Sequence, residues 1–299
     1  PDLLPQLMDE QDPLFGPLFD LLRSMAPHNG PVVVSLLRDH WMSRPEADWW
    51  TGCVLANLRP WVPAATRLAE VIARRVDGRQ TRLFDVIGCA AETDGEAAVS
   101  VFAEFLNCRV ADVEALPETT QAPDNHNPLQ RIFHESPRKK AARAVFQGTT
   151  DWEELEAIAL SAPDAFIRRT WPLFIRLLAA TRDEDDATEN AFYRELGLNL
   201  DSFTGPGPLI NAIEAAAEAF ARANGDSFSE FLTGASGLNS TTVQRILARS
   251  LAGIVDQRPD LALRFLIEDP RRLTLGDYRN QHRDSGALIT AVCPHLTPD

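Results

Sequence analysis

The chain has 299 residues, of which 44% are hydrophobic and 24% charged, a balance typical of a folded protein that can bury a core. No apolar run approaches the roughly 20 residues that a bilayer span requires, so we expect no membrane segment. The formal net charge is −14. An acidic surface repels phosphate backbones unless its basic residues gather on one face, and this disfavours nucleic-acid binding.

The N-terminus begins Pro1-Asp2-Leu3-Leu4-Pro5, without an initiating Met, a basic region or an apolar signal core. We therefore expect a piece of a longer protein. The four cysteines, Cys53, Cys89, Cys108 and Cys293, are widely spaced and form no CxxC pair. Such spacing favours small buried hydrophobic side chains in a reducing cytoplasm, with disulfides as the alternative.

Apolar residues recur at helical spacing from the start of the chain. Leu18, Leu21, Leu22 and Met25 follow the i, i+3, i+4, i+7 pattern that lines one face of a helix. The β-branched run Val32-Val33-Val34 continues into a longer apolar stripe, which favours a helix opened by Gly30-Pro31 over a strand. The sequence predicts an all-α fold.

Helix starts are predicted where a side-chain oxygen can accept hydrogen bonds from the unpaired amides of a first turn. The candidates are Ser136 before Pro137, Thr150 with Glu153, Ser227 with Glu230, and Asn239-Ser240-Thr241. Pro259 is predicted to open another helix, because proline suits the first helical position. Pro172 lies inside an apolar stripe, where it removes a backbone donor and predicts a kink.

These starts and stops predict roughly fifteen short helices joined by Pro, Gly and Asp connectors. A helix pair recurs about every 35 to 45 residues, the spacing of HEAT and armadillo units. We therefore expect an irregular HEAT/armadillo-like α-solenoid of stacked antiparallel helix pairs.

The polar, proline-rich stretch near residues 117–130 predicts an exposed loop and the main boundary of the chain. The expected division is N-terminal helical repeats at 1–116, a linker at 117–136 and C-terminal helical repeats at 137–299. One continuous array is the alternative.

No motif of an enzyme or cofactor site is found. The sequence lacks GxxxxGK[ST], GxGxxG, GxSxG and HExxH. Cys89, Cys108, His126 and His134 are too far apart for a closed zinc site, and the acidic run Asp183–Asp186 lacks the glycine and final glutamate of an EF-hand. We expect no enzyme activity, no cofactor and no metal from this chain alone.

Positive charge concentrates at one place, Arg138-Lys139-Lys140 with Arg143. Positions 139, 140 and 143 share a helical face, which suits an acidic partner or phosphates. The alternative is a solvated first turn of a helix. We take Arg138, Lys139, Lys140 and Arg143 as candidate partner-binding residues.

Adjacent tryptophans predict a second candidate. Trp41 and Trp50 fit buried stripes, but Trp49 and Trp50 cannot both face one helix surface. One of them is expected to be less buried, and an exposed tryptophan is a frequent interface anchor. Trp49 joins the candidate partner-binding residues, with a ridge between repeats as the alternative.

The last third of the chain resembles the helical repeat regions of large bacterial STAND-type (NACHT-like) ATPases. The segments that carry the resemblance are Phe231-Leu232, 243–247, 265–273 and 288–296, beginning at Ser227. In that family an ATPase core is joined to repeats that sense a ligand, often a phage protein, and trigger an effector. The resemblance implies a sensor role in antiviral defence. It implies no ATPase activity here, because the nucleotide-binding motifs are absent.

The sequence thus predicts a cytoplasmic, ligand-sensing α-solenoid with a protein partner. Two alternatives stay open. A HEAT-like nucleic-acid-binding protein or DNA-repair enzyme would need a basic concave face, and an oligomerisation scaffold would associate with itself.

Overall fold

A computed structural model describes residues 15–75, 82–118, 136–148, 152, 154–182, 192–193, 207–276 and 280–296. These residues form α-helices, short 3-10 helices and turns, with no strand among them. The all-α prediction is confirmed. Over the same ranges, no helix is both long and apolar enough to cross a membrane.

The chain divides into two compact units, Pro1–Cys108 and Arg109–Asp299. The division falls inside a helix rather than in the predicted linker. Residues 119–135, which make up most of that linker, lie outside the described residues. The predicted boundary at 117–136 therefore stays a prediction.

The described helices of the first unit run in chain order, the last of them continuing into the second unit. They are α1 (Phe15–His40), α2 (Asp48–Leu55), α3 (Pro63–Arg75), α4 (Leu83–Ala91) and α5 (Gly95–Glu114). Helix α2 packs against α1, α3 and α4. It buries six of its 8 residues, so it forms the centre of this unit.

Helix α1 is interrupted near its middle. Asn29 has a non-helical backbone conformation, with φ −131° and ψ 35°, directly before the predicted helix start at Gly30-Pro31. A side chain at Gly30 would bring its Cβ within 2.9 Å of Val62. The break therefore comes with a close approach between α1 and the segment that leads into α3.

The described helices of the second unit follow the same order. They are α6 (Pro137–Gln147), α7 (Leu155–Ser161), α8 (Pro163–Thr181), α9 (Pro208–Ala223), α10 (Gly225–Ala235), α11 (Thr241–Ala252), α12 (Pro259–Glu268) and α13 (Arg283–Val292). Helix α9 packs against α6, α7, α8, α10 and α11, and α11 packs against α9, α12 and α13. Nine of the 12 residues of α11 are buried. Helices surrounded in this way must satisfy any polar side chain internally.

Three predicted helix starts are confirmed. Ser136 caps α6, its Oγ accepting a hydrogen bond from the Lys139 amide at 3.2 Å. Ser240 caps α11 in the same way, with the Val243 amide at 3.2 Å. Pro259 occupies the first position of α12.

The predicted start at Ser227 is wrong. Helix α10 begins at Gly225, and its cap is Asn224, whose Oδ1 accepts from the Ser227 amide at 3.1 Å. Asparagine caps helices as well as serine does, so the cap of α10 lies three residues before the predicted one. The predicted start at Thr150 with Glu153 lies outside the described residues. At Pro172, where the sequence predicts a kink, α8 continues as one helix.

Gly207 fixes how closely α9 approaches α6. It is the residue before the first turn of α9, and a Cβ there would lie 1.9 Å from the carbonyl oxygen of Phe146. Because that oxygen belongs to the backbone, no rotamer change can relieve the clash.

Replacing Gly207 should therefore destabilise the protein. We expect Gly207→Ala to lower the free energy of unfolding by more than about 1 kcal/mol. In the control Gly234→Ala, the new Cβ meets nothing within 4 Å, and the helix should gain about 0.5–1 kcal/mol. Urea unfolding of both variants measures the difference, and equal stabilities would contradict the close approach.

Candidate functional site

Arg138 lies at the start of α6 and reaches the end of α5. Its Nε donates to the Leu116 carbonyl at 3.0 Å, one Nη donates to the Glu114 carbonyl at 2.6 Å, and the other pairs with the Glu118 carboxylate. The last carbonyls of a helix have no partner within it, and an arginine can supply one. Arg138 thus holds α5 and α6 together.

The other three basic candidates share α6 but differ in exposure. Lys140 is exposed, whereas Lys139 and Arg143 are half-buried and interact with other groups of the chain. Because the Arg138 guanidinium is bonded within the protein, α6 presents less positive charge to solvent than the sequence pattern indicates. Its role in partner binding stays a prediction.

Trp49 lies on α2 with 42% of its surface exposed, whereas the neighbouring Trp50 is half-buried. One of the two tryptophans is thus less buried, as their adjacency predicts. The two rings meet edge to face, with centroids 4.6 Å apart and planes at 87°. This geometry is favourable for aromatic rings and stabilises the observed orientation of the exposed indole.

The aromatic contacts continue from Trp50 into the core of the first unit. Phe19 lies 5.7 Å from Trp50 and 5.0 Å from Trp41, measured between ring centroids. Phe19 and Trp41 are buried. Trp49 is therefore the outermost ring of a continuous aromatic cluster, which we call the tryptophan cluster (Trp49, Trp50, Phe19 and Trp41).

Two ion pairs act electrostatically on Cys53 of α2. Cys53, one turn after Trp49, is buried, and burial raises the pKa of its thiol. The charges that act on that thiol are two ion pairs, Arg23–Asp20 at 3.1 Å on α1 and Arg82–Asp85 at 3.6 Å at the start of α4.

Asp48 lies directly before Trp49 on the buried side of α2. Arg75 donates one hydrogen bond to its carboxylate at 3.3 Å and another to the Met42 carbonyl at 2.8 Å. Burial raises the pKa of Asp48 from 3.8 to about 6, against the opposing effect of Arg75. The carboxylate is therefore poised to change charge in mildly acidic solution.

The second unit contains a buried charge cluster that sequence reasoning missed. Arg245 on α11 donates to Asp284 on α13 at 2.5 Å, and both side chains are about 95% buried or more. Arg249, one turn further on, donates to the other Asp284 oxygen at 2.8 Å and to Glu214 on α9 at 2.7 Å. Two arginines and two carboxylates thus neutralise one another.

Electrostatics within this cluster favour the charged form of Arg249. Burial lowers the pKa of Arg249, but the carboxylates of Glu214 and Asp284 outweigh that effect and leave the pKa above its ordinary value. Charges that are paired and hydrogen-bonded in this way persist in a protein interior, whereas an unpaired one would be costly. The arrangement is suited to joining α9, α11 and α13.

A second buried contact joins α11 to the segment after α12. Arg272 donates to the side-chain oxygen of Gln244 at 3.0 Å and to the carbonyls of Phe265 and Ser236 at 2.7 Å each. The Gln244 amide group donates to the carbonyls of Ser236 and Leu238 at 2.8 Å. Every one of these donors serves the backbone or another buried group.

A pocket of about 230 Å³ lies between α10 and α12. Its lining side chains are Leu232, Thr233, Ser236, Arg264, Phe265 and Glu268. Arg264 and Glu268 pair with each other at 3.5 Å, so the lining carries no net charge.

The cysteines are free thiols. Cys53 and Cys89 are buried, as predicted, but Cys108 is half-buried and Cys293 is exposed. The expectation of four buried side chains is therefore wrong for Cys293, which lies in a 3-10 turn after α13.

Among the described residues, no three His, Cys, Asp or Glu side chains lie close enough together to hold a metal ion. His126, His134 and the run Asp183–Asp186 lie outside those residues. The expectation about metals therefore stays a prediction.

The chain matches no protein-family model, no curated protein and no solved structure. No functional residue is therefore carried over from a relative. The candidate sites rest on their geometry and chemistry.

The pKa of Asp48 leads to a prediction about pH. The folded protein binds this proton more tightly than the unfolded chain does, so Asp48 makes the fold less stable as pH rises from about 4 to about 6. A difference of about 2 in pKa corresponds to about 3 kcal/mol. Relative to Asp48→Asn, the wild type should lose about that free energy of unfolding across this window, measured by urea unfolding.

Asp260 provides a control of opposite sign, since its hydrogen bond with Arg258 lowers its pKa. Relative to Asp260→Asn, the wild type should gain stability as pH rises. A wild-type curve parallel to that of Asp48→Asn would contradict the burial of the Asp48 carboxylate.

Proposed function

We propose that this chain is a protein-recognition module that contacts its partner through Trp49. The observation that carries the proposal is the exposed indole of Trp49, held edge to face against Trp50. Tryptophan is enriched among the few residues that supply most of the binding energy of an interface.

The tryptophan cluster makes Trp49 well suited to this role. A side chain that is already oriented loses little conformational freedom on binding, and this reduces the entropic cost of association. The edge-to-face contact with Trp50 supports the indole from the side of the protein and leaves 42% of Trp49 open to a partner.

The finer features predicted from sequence form part of the same proposal. The module is an irregular HEAT/armadillo-like α-solenoid that acts in the cytoplasm as the ligand-sensing region of a bacterial antiviral ATPase. The many amphipathic helices and the resemblance of the last third to STAND-type repeat regions support this. A protein ligand agrees with the net charge of −14, which opposes binding to phosphate backbones.

Arg138 supplies a further argument against nucleic acid as the ligand. Its guanidinium donates to Glu114, Leu116 and Glu118, so the basic group on α6 presents less positive charge to solvent than its sequence indicates. A salt-titrated DNA-binding assay distinguishes the two functions. Binding that weakens steeply with salt would favour the nucleic-acid alternative over a protein partner.

Substitution of Trp49 tests the proposal directly. Wild type, Trp49→Ala and Leu160→Ala are immobilised as full chains and exposed to the same bacterial lysate, and retained proteins are identified by mass spectrometry. Leu160 is the matched control, because it is an apolar side chain with 45% exposure in the other unit. We expect one protein to be retained by wild type and Leu160→Ala and lost by Trp49→Ala.

The Kd of the purified partner for wild type and for Trp49→Ala then gives the contribution of Trp49 to binding. Loss of an anchor residue costs about 2 kcal/mol or more, a roughly 30-fold rise in Kd. Circular dichroism and thermal unfolding of Trp49→Ala establish that the variant remains folded. A partner whose Kd is the same for wild type and folded Trp49→Ala would contradict the assignment of Trp49 as the anchor.

A further inference from the structure

The dipeptide Phe192–Tyr193 is seated against the start of α11, 49 residues further along the chain. The Tyr193 carbonyl accepts a hydrogen bond from the Thr241 amide at 2.9 Å, and the Phe192 carbonyl accepts from the Thr241 hydroxyl at 3.3 Å. Tyr193 also forms an isolated parallel bridge with Ser240. The dipeptide is therefore recognised in part through its backbone.

Two arginines recognise the side chains. The guanidinium carbon of Arg271 lies 4.2 Å from the centre of the Phe192 ring, and that of Arg182 lies 5.1 Å from the centre of the Tyr193 ring. Both distances are within the range of cation–π attraction. Phe192 is only 7% exposed, so its ring occupies a subsite that excludes most solvent.

The receiving surface is itself held in place. Arg271 is bonded through two of its nitrogens to the Asp269 carboxylate and donates to the Asn239 side chain at 3.1 Å. Ser240 is fixed as the cap of α11 by the Val243 amide. Arg271 and Ser240 are therefore held by groups other than the dipeptide.

This combination is the chemistry of a peptide site. Backbone hydrogen bonds supply affinity for an extended segment, and separate side-chain subsites supply specificity. The amide of Thr241 belongs to the first turn of α11, whose amides have no partner within the helix. A carbonyl must therefore come from elsewhere, and Tyr193 supplies it.

We propose that the groove formed by Arg182, Ser240, Thr241 and Arg271 is a docking site for an extended partner segment with two adjacent aromatic residues, occupied in cis by Phe192–Tyr193. The seated dipeptide defines the ligand, since the Phe192 ring lies under Arg271, the Tyr193 ring meets Arg182, and both carbonyls face Thr241. The site lies in the second unit and is independent of the role proposed for Trp49.

Occupancy in cis has a regulatory consequence. Because Phe192–Tyr193 belongs to the same chain, it competes with a partner segment intramolecularly and is not diluted away. A weak ligand is therefore excluded, and a ligand that binds the groove more tightly releases Phe192–Tyr193. Phe192–Tyr193 thus sets a minimum affinity that a partner segment must have to occupy the groove.

A peptide-binding assay on the full chain tests the site. The probe is a fluorescein-labelled peptide of residues Glu189–Leu196, which contains the Phe-Tyr pair, and the control peptide has alanine at both aromatic positions. The variant Phe192→Ala/Tyr193→Ala removes the cis ligand. We expect this variant to bind the probe saturably in fluorescence anisotropy, the wild type to bind it at least about tenfold more weakly, and the control peptide not to bind.

Three results with the probe and the variant would overturn the proposal. One is a variant that unfolds cooperatively, as a folded protein does, yet gives no anisotropy change with the probe. Another is equal binding of the probe and the alanine peptide. The third is a concentration-dependent dimer of the wild type that the variant loses, because the occupant would then be a second copy of this chain.

Hydrogen exchange of the wild type covers the case in which the variant does not fold. The Thr241 amide bonds to Tyr193, whereas the Val243 amide, in the same turn, bonds to Ser240. If the dipeptide can leave while α11 stays capped, Thr241 should exchange at least about tenfold faster than Val243 after correction for intrinsic rates. Equal protection of both amides would identify Phe192–Tyr193 as a fixed part of the core and overturn the proposal.

Discussion

The second unit depends on the interaction between Arg245 and Asp284. Helix α11 is nearly enclosed by its neighbours. The Arg245 side chain is only 5% exposed, so its charge must be paired with a carboxylate inside the protein. Asp284, in the first turn of α13, supplies one oxygen to Arg245 and the other to Arg249. Arg249 extends the contact to Glu214 on α9. One carboxylate thereby determines how three helices meet.

The same constraint bears on function. Polar groups that face one another in an interior are candidates for catalysis when a substrate can reach them. Here the charges of Arg245 and Asp284 are buried and bonded to each other, which suits a structural role. The features that bear on the proposed functions are of another kind, the exposed indole of Trp49 and the site filled by Phe192–Tyr193. Both suit the recognition of a protein, and this is why we propose binding rather than chemistry for the described residues.

How far the sequence predicts the structure depends on how local each interaction is. The helical class follows from short-range periodicity, and the caps Ser136 and Ser240 act on amides three residues away. Even a local prediction is wrong at α10, where Asn224 and not Ser227 is the cap.

Interactions across long separations were not predictable. Arg245 and Asp284 are 39 residues apart, and no spacing rule pairs them. Arg245 falls on the helix face opposite the apolar stripe of Val243, Ile246 and Leu247, so the local pattern gives no sign that it is buried. Trp49 was identified because two adjacent tryptophans cannot share one helix face, an argument that needs no tertiary contact.

Whether Arg245 and Asp284 determine the packing of α11 is tested most directly by a double-mutant cycle with Arg245→Leu and Asp284→Asn, measured by urea unfolding. We expect a coupling energy of at least about 2 kcal/mol, whereas a value under about 0.5 kcal/mol would contradict the account.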